Sequence, residues 1–395
     1  MPRYVGDSLL IIKRWIQSFF FVKKALYRNA WLICERGVEA RDNGFVFFKY
    51  LRENHPEINA YYLIESKNNE DYEKAKQLGN VVEYNSKEHH LALFFASHLL
   101  STHVGYITPW SFVCYKTFFK WMNNAKFVLL NHGMTKEDMS AVLNRRVTGV
   151  DLFITANQVD YDAIAKDSRY GYDLNQVALT GYARYDNWTN FVEKKQIVLM
   201  PTWRAYLVDK SRHYRNQPRV LPQFKESEYY KQYQSLLSNS RLIRLLEEYD
   251  TNLVFYPHYE MQSALSLFSS NSERVIFANK NTHDIPTLLR ESKLMITDYS
   301  GVGFDFSYMY KPLLYYQFDQ KEYYSSHYKI GDFSMQKDGV GEIFEKEADL
   351  IDAIERYFVT NFSVLDEYRN RIDKLFTFHD DKNCQRIFQA IVNYK

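Results

Sequence analysis

Short apolar runs recur along the chain, each followed by a polar turn and then by a stretch with helical spacing. In the first half the runs at 30–34, 60–64, 81–82, 98–101, 127–130, 152–155 and 177–179 read as strands. Residues 44–54, 72–78, 89–96 and 160–166 carry apolar positions three and four apart and read as helices between them. The pattern restarts in the second half, with strands at 196–200, 252–256, 275–278, 294–297 and 313–318. Helices are expected there at 226–237, 240–248, 285–291, 348–358, 364–374 and 383–392. A polar excursion at about 208–225 has no periodic core. Alternation of this kind predicts parallel sheets with helices on both faces. Occurring twice, it predicts an α/β chain of two Rossmann-like doubly wound domains facing a cleft. The expected domains are 1–193 and 194–375, with 376–395 a C-terminal helix packing back on the first.

In such sheets ligands bind outside the carboxyl ends of the strands, and four strand ends carry candidate chemistry. The first is Asn131-His132-Gly133, where Gly133 lets the chain turn and His132 is left at the sheet mouth to take a proton. The alternative is a histidine capping the next helix. The second is Pro201-Thr-Trp-Arg204, whose guanidinium fork suits a phosphate or, failing that, a surface carboxylate. The third is Tyr256-Pro-His-Tyr-Glu260, with His258 to donate to a phosphate oxygen and Glu260 to accept from a ribose hydroxyl. The fourth, Thr297-Asp-Tyr-Ser-Gly301, ends a strand and opens a helix that runs to Pro312. The hydroxyls of Thr297 and Ser300 and the positive helix terminus there would hold a phosphate. Asp298 and Asp305 are expected to orient neighbours or to cap, because like charges repel. Arg184 and Asp186 read as a hinge salt bridge or an acceptor contact.

Composition narrows the classes. With 50 Lys and Arg against 48 Asp and Glu, the net charge of +2 gives no field for nucleic acid. Three scattered cysteines suggest neither a disulfide framework nor a metal site, and a reducing cytoplasm fits them. His89, His90, His98 and His103 lack metal-ligand spacing and read as structural; no metal-ligand residues are assigned, and the sequence does not settle the need for a divalent metal. The chain shows no signal peptide and no apolar run long enough to span a bilayer. Its aromatic content is high, and two segments mix aromatics with cations. One is 9–27, read as a helix carrying Lys13, Arg14, Lys23 and Lys24; the other is 109–122, carrying Lys116 and Lys120. Each suits an anionic membrane interface, a core helix, or a contact between copies in a homo-oligomer.

Taken in order, these motifs resemble one family. They are Glu35-Arg-Gly37 with Ala40-Arg-Asp-Asn-Gly44, Asn131-His-Gly133, Thr180-Gly-x-x-Arg-x-Asp186, Pro201-Thr-Trp-Arg204, Pro257-His258, Thr297-Asp-Tyr-Ser300, Phe304-Asp-Phe306 and Lys311-Pro312. The string resembles the CDP-glycerol glycerophosphotransferases, which build polyol-phosphate units of teichoic acids and related capsules. The resemblance runs from about Trp31 to about Leu375. It implies a glycosyltransferase-B type fold and a peripheral enzyme at the cytoplasmic face of the membrane. The first domain would receive a lipid-linked polyol-phosphate or saccharide acceptor, and the second would hold CDP-glycerol or CDP-ribitol. It makes His132 the general base, His258 a pyrophosphate contact, and Thr297, Asp298, Tyr299 and Ser300 diphosphate ligands. Arg204, Glu260 and Gly301 complete the expected donor site. Three positions depart from the family pattern: Asn131 replaces Gln, Ala183 replaces Pro, and Gly301 replaces a second Ser. A nucleotide-sugar glycosyltransferase and a non-catalytic membrane scaffold are the rival readings.

Overall fold

The structure, a computed structural model, describes residues 3–67, 70–188, 191–209, 220–326 and 333–394. It divides into two compact units. One comprises Met1–Met134, Met139–Asn187 and Phe376–Lys395; the other comprises Thr135–Asp138 and Trp188–Leu375.

The first unit is built on a seven-stranded sheet. Its strands are β1 (Trp31–Cys34), β2 (Ala60–Ile64), β3 (Val81–Glu83), β4 (His98–Ser101), β5 (Lys126–Leu129), β6 (Leu152–Thr155) and β7 (Val177–Leu179). The order is β3-β2-β1-β4-β5-β6-β7. Every pairing is parallel. Continuous apolar strands such as Leu152–Thr155, buried at all four positions, are what a sheet covered on both faces requires. One face packs Leu32, Leu99, Phe127 and Phe153 with Ile11, Tyr27, Trp110 and Phe119. The other packs Ile33, Leu100, Val128 and Ile154 with Phe47, Phe48 and Leu51 of a helix at Asn43–Asn54. Cys384, Ile387 and Ile391 of the last helix, Asn383–Asn393, lie on that same face.

The second unit has six strands: β8 (Gln196–Leu199), β9 (Asn252–Phe255), β10 (Val275–Phe277), β11 (Leu294–Thr297), β12 (Leu313–Tyr316) and β13 (Glu342–Phe344). Their order is β10-β9-β8-β11-β12-β13, all parallel. Both sheets thus reverse their winding once, between β1 and β4 and between β8 and β11. The chain is an α/β protein of two doubly wound domains. The expected strands are present to within two residues at their ends. β13 was not expected: it is a three-residue edge strand, half-buried throughout and preceded by Gly341, so it carries no apolar run.

Two other expectations change. Residues 9–27 are not one helix. A helix at Arg3–Ser18 ends and a 3₁₀ turn at Val22–Tyr27 follows. The polar excursion lies largely outside the described residues. Among the described residues no helix is long and apolar enough to cross a membrane.

Candidate functional site

The first unit gathers chemistry at its switch point, where open ends of neighbouring strands create a crevice. After β1 the buried Glu35 carboxylate accepts from the N–H groups of Arg41 (3.0 Å), Asp42 (2.9 Å) and Phe45 (2.8 Å). It thereby ties the loop and the start of the Asn43–Asn54 helix to the sheet. Burial and nearby Asp42 push its pKa up, while the three N–H donors pull the other way. Gly44 is needed for this approach, since a Cβ there would lie 2.9 Å from Glu35 Cγ.

Asp42, now fixed, accepts from Arg184 Nη1 at 2.7 Å. Asn43, fully buried, donates to the Asn131 carbonyl at 2.8 Å and accepts from the Arg184 N–H at 3.1 Å. Asn131 takes a left-handed conformation, φ 57°, which asparagine tolerates better than most residues. The turn before His132 is therefore made at Asn131, not at Gly133, whose Cβ position meets nothing within 4 Å.

His132 comes out of this frame with defined polarity. Its Nδ1 lies 3.2 Å from the Thr102 carbonyl. A carbonyl only accepts, so Nδ1 carries the hydrogen and Nε2 keeps its lone pair. The His103 ring stacks on it, with centroids 4.1 Å apart and planes 14° apart. His132 has an edge exposed to solvent, yet its pKa is pushed below the ordinary histidine value. Loss of solvation among closely packed groups is the largest cause; Asp42 and the Thr102 carbonyl oppose it, and Arg36 and Arg184 add to it.

In the second unit His258 lies three residues beyond β9 and caps the 3₁₀ helix Tyr259–Leu267. Its Nδ1 accepts from the Glu260 N–H at 3.2 Å. That is the opposite tautomer: Nδ1 holds the lone pair and Nε2 carries the hydrogen. Trp203 lies nearly parallel to the ring, 6.1 Å away. Glu260 sits half-buried one turn on.

Arg204 departs from expectation. It neither offers its fork to a phosphate nor pairs at the surface; it is fully buried. Its Nε and Nη2 donate to Asp319 at 2.7 and 3.0 Å, and Nη1 lies 2.9 Å from Asp298 Oδ2. The rings of Tyr229, Tyr299 and Tyr323 surround it at 5.1–5.2 Å. Thr297 and Asp298 are likewise occupied. The Thr297 hydroxyl donates to the Met200 carbonyl at 2.7 Å. Asp298 accepts from the N–H groups of Thr202 (2.8 Å) and Tyr299 (2.6 Å) and from the Tyr233 hydroxyl (3.1 Å). These three residues build the turn from below and do not line it.

What the turn presents is smaller. The helix it opens, Val302–Tyr308, has seven residues. The N–H groups of Val302, Gly303 and Phe304 already close on Ser300 Oγ, Ser300 O and Gly301 O. Among the described residues, the Ser300 hydroxyl proton and the N–H groups of Ser300 and Gly301 have no such internal partner. Gly301 has helical φ and ψ, and a Cβ there would meet nothing within 4 Å, so the backbone does not require glycine. Among the described residues no group of three or more His, Cys, Asp or Glu is placed to hold a metal ion.

A family model described as CDP-glycerol:poly(glycerophosphate) glycerophosphotransferase matches residues 16–393. The chain belongs to this family. It is 32% identical over 365 residues to the minor teichoic acid biosynthesis protein GgaB of Bacillus subtilis, covering 92% of this chain and 40% of that one. It is 25% identical over 316 residues to a teichoic acid poly(glycerol phosphate) polymerase of Staphylococcus epidermidis, covering 73% and 40%. The chain thus spans about two fifths of the length of these curated relatives. Its fold is that of the wall teichoic acid polymerase TagF, with a TM-score of 0.65 at 18% identity over 99% of this chain and 98% of that one. A TagF variant solved after a soak with CDPG superposes at 0.63, also at 18%, covering 98% and 96%. The S. aureus MnaA–UDP co-structure is a more distant likeness, with a TM-score of 0.55 at 12% identity over 93% and 96%. The architecture is that of the glycosyltransferase-B class.

In this glycerophosphotransferase-family chain the structure also adds residues that the motifs alone did not single out. His103, set aside as structural, lies against His132. Asp319, beyond β12, is the second carboxylate on Arg204. Lys136 is buried within the second unit, paired with Glu137, and burial pushes its pKa down to about 8 against the pull of Asp298. Only chain topology brings these residues to the motifs. The available signal was position: His103 follows β4, and Asp319 follows β12, each just beyond a strand end.

Proposed function

We propose that this chain transfers glycerol phosphate from CDP-glycerol, or the equivalent unit from CDP-ribitol, to a hydroxyl of a membrane-held acceptor, with release of CMP. Membership of the glycerophosphotransferase family is the observation that carries this reading, and the two histidine tautomers give it a chemistry. The acceptor hydroxyl oxygen bonds to the β-phosphorus, which bears the polyol. Its proton passes to His132 Nε2. The bond from that phosphorus to the bridging oxygen breaks, and CMP departs with the electron pair. His258 Nε2–H and the Ser300 hydroxyl, with the N–H groups of Ser300 and Gly301, donate to the diphosphate oxygens. Glu260 accepts from the cytidine ribose. Arg204, Thr297 and Asp298 hold the turn that presents these donors. Positioning and electrostatics supply most of the rate of such a transfer.

The acceptor side belongs with the outer surface of the first unit. Phe19, Phe20, Val22 and Trp121 are exposed on that unit, as are Lys13 and Lys24, a composition suited to an anionic membrane surface carrying a lipid-linked acceptor.

The test is CMP release by the purified chain given CDP-glycerol and a short lipid-linked glycerol-phosphate acceptor. Acceptor-dependent release, lowered about 100-fold or more in His132→Ala, is the expected result. Release from CDP-ribitol alone would change the polyol. Release of a nucleoside diphosphate from a nucleotide sugar, with neither CDP-polyol active, would replace this reading with a glycosyltransferase. The UDP-bound relative of similar fold makes that the alternative to run beside it.

A further inference from the structure

His103 has no part in the reaction written above, yet its polar contacts are all committed. Arg36 Nε donates to His103 Nε2 at 3.2 Å. A guanidinium has no lone pair to offer, so His103 Nε2 must hold one. The hydrogen is then on Nδ1, 2.8 Å from the Thr102 hydroxyl. The next atom group along, the Thr102 carbonyl, is the acceptor that sets the His132 tautomer. One residue therefore holds both rings, and β4 holds that residue. Ser101 Oγ donates back to the His103 carbonyl at 2.7 Å, fixing the turn.

We propose that His103 is a positioning residue for His132, a neutral imidazole platform locked by Arg36 and Thr102 that keeps the His132 ring oriented with Nε2 as proton acceptor. This rests on the reading of His132 as the base. Protonation of His103 would cost the Arg36 bond and place a cation 4.1 Å from His132. Burial and these neighbours hold its pKa down to about 2, so the platform stays neutral at any pH at which the reaction runs. When His132 takes the acceptor proton it becomes an imidazolium, and a neutral aromatic face attracts such a cation where a charged one would repel it. Asp42, ahead of the Asn43–Asn54 helix, favours the same charge; Arg36, after β1, and Arg184, in the 3₁₀ turn Ala183–Asn187, oppose it. The platform thus restrains the ring without consuming the proton it must collect.

The experiment uses the full chain with His103→Ala, His103→Phe, Arg36→Ala and His132→Ala. Nitrogen chemical shifts of labelled histidine report the tautomer and titration of His132 without reference to turnover. Rates of CMP release from CDP-glycerol across pH report kcat and KM. In the unsubstituted chain His132 should be the Nδ1–H tautomer. His103→Ala should mix the tautomers and lower kcat about tenfold at an unchanged donor KM. Opening the covered face to water lessens the burial that lowers the His132 pKa, so the acid limb of kcat/KM should move up, toward the ordinary histidine value. His103→Phe keeps a neutral ring in place and should recover most of kcat. Arg36→Ala, at an exposed position, removes the smallest of the causes that hold the His103 pKa down, so His103 should stay neutral but lose one of its two anchors, and the His132 tautomers should mix less than in His103→Ala. An unchanged His132 tautomer and an unmoved acid limb in His103→Ala would overturn the proposal. Full CMP release by His132→Ala would instead remove the base assignment, a separate failure that the tautomer measurement does not share.

Discussion

Two histidines of one chain are set to opposite duties by a single backbone atom each. At His132 a carbonyl oxygen, Thr102 O, claims a hydrogen from Nδ1. At His258 an N–H, that of Glu260, claims a lone pair from the same atom. A proton acceptor and a hydrogen-bond donor result, with no difference in side-chain type. The same logic of commitment applies to Arg204. Its guanidinium is shared by Asp298 and Asp319 and enclosed by three tyrosines. Removing it leaves two buried carboxylates without their cation, a loss on the order of 3–5 kcal/mol for a broken buried pair. Arg204→Ala is therefore expected to unfold the second unit at lower denaturant, with a failure in amount of folded protein. A folded Arg204→Ala chain of unchanged denaturation midpoint whose only defect is a raised KM for CDP-glycerol would return Arg204 to the phosphate site.

Elements were easier to read than the contacts between them. The strands at 60–64, 98–101, 152–155, 177–179 and 294–297 are legible because a parallel strand covered on both faces is apolar at most of its positions, and a polar turn must follow it. The candidate ends at His132, His258 and Ser300 were legible for the same reason. Sequence spacing does not show which side chains those ends turn inward. Thr297 and Ser300 look equivalent as hydroxyl donors, but Thr297 is the last residue of β11 and faces Met200 O, while Ser300 lies three residues into the turn. His103 was out of reach because its partner is 29 positions away across β4 and β5. Asp186 teaches the same point. It accepts from the N–H groups of Asn383 (2.7 Å) and Cys384 (2.8 Å) and from Asn383 Nδ2 (2.7 Å), so it caps the last helix and is no hinge. Gly181 allows this, since a Cβ there would fall 1.9 Å from Asn383 Oδ1. Asp186→Ala removes the cap and is expected to cost about 2 kcal/mol, the upper end for capping residues. Asp186→Asn, which keeps one acceptor oxygen, should recover part of it. Chemical denaturation of the three chains measures both, and equal midpoints would deny the cap any role.

At the scale of the whole molecule, the question is what the first unit does with apolar surface it does not bury. The helix Arg3–Ser18, which carries the start of the first aromatic, cationic segment, meets the second segment. The Ser111 N–H donates to Asp7 at 2.8 Å, and Cys114 Sγ lies 3.4 Å from the Tyr4 carbonyl. Their inner halves are core: Ile11, Trp110, Cys114, Tyr115 and Phe119 are buried. Their outer halves are not. Phe20 is 83% exposed, Val22 95% and Trp121 83%. The cations divide too. Lys116 and Lys120 bond to carbonyls at 147 and 149, and Lys120 also to Asp151, while Lys23 pairs with Glu88, so their charge serves the fold. Lys13 and Lys24 are exposed, and under the proposed function they are the cations that would meet an anionic surface. Deleting the first 27 residues would uncover the core around Ile11 and Tyr27, so point substitutions are the cleaner probe. Phe20→Ser, Val22→Ser and Trp121→Ser together should leave stability within about 0.5 kcal/mol, as surface changes do. Partial burial of each side chain in the headgroup region is worth roughly 1 kcal/mol, below the 1.5–3 of a full core burial. Three of them sum to a partition onto phosphatidylglycerol vesicles about 100-fold weaker. Lys13→Gln with Lys24→Gln should weaken binding to those vesicles and leave binding to neutral phosphatidylcholine unchanged, because each cation near an anionic surface adds about 1 kcal/mol that salt screens. Vesicle flotation reads both sets. If the triple variant floats as fully as the unsubstituted chain, this face does not meet the bilayer; if it then sediments as a smaller species than the unsubstituted chain, the face joins two copies instead.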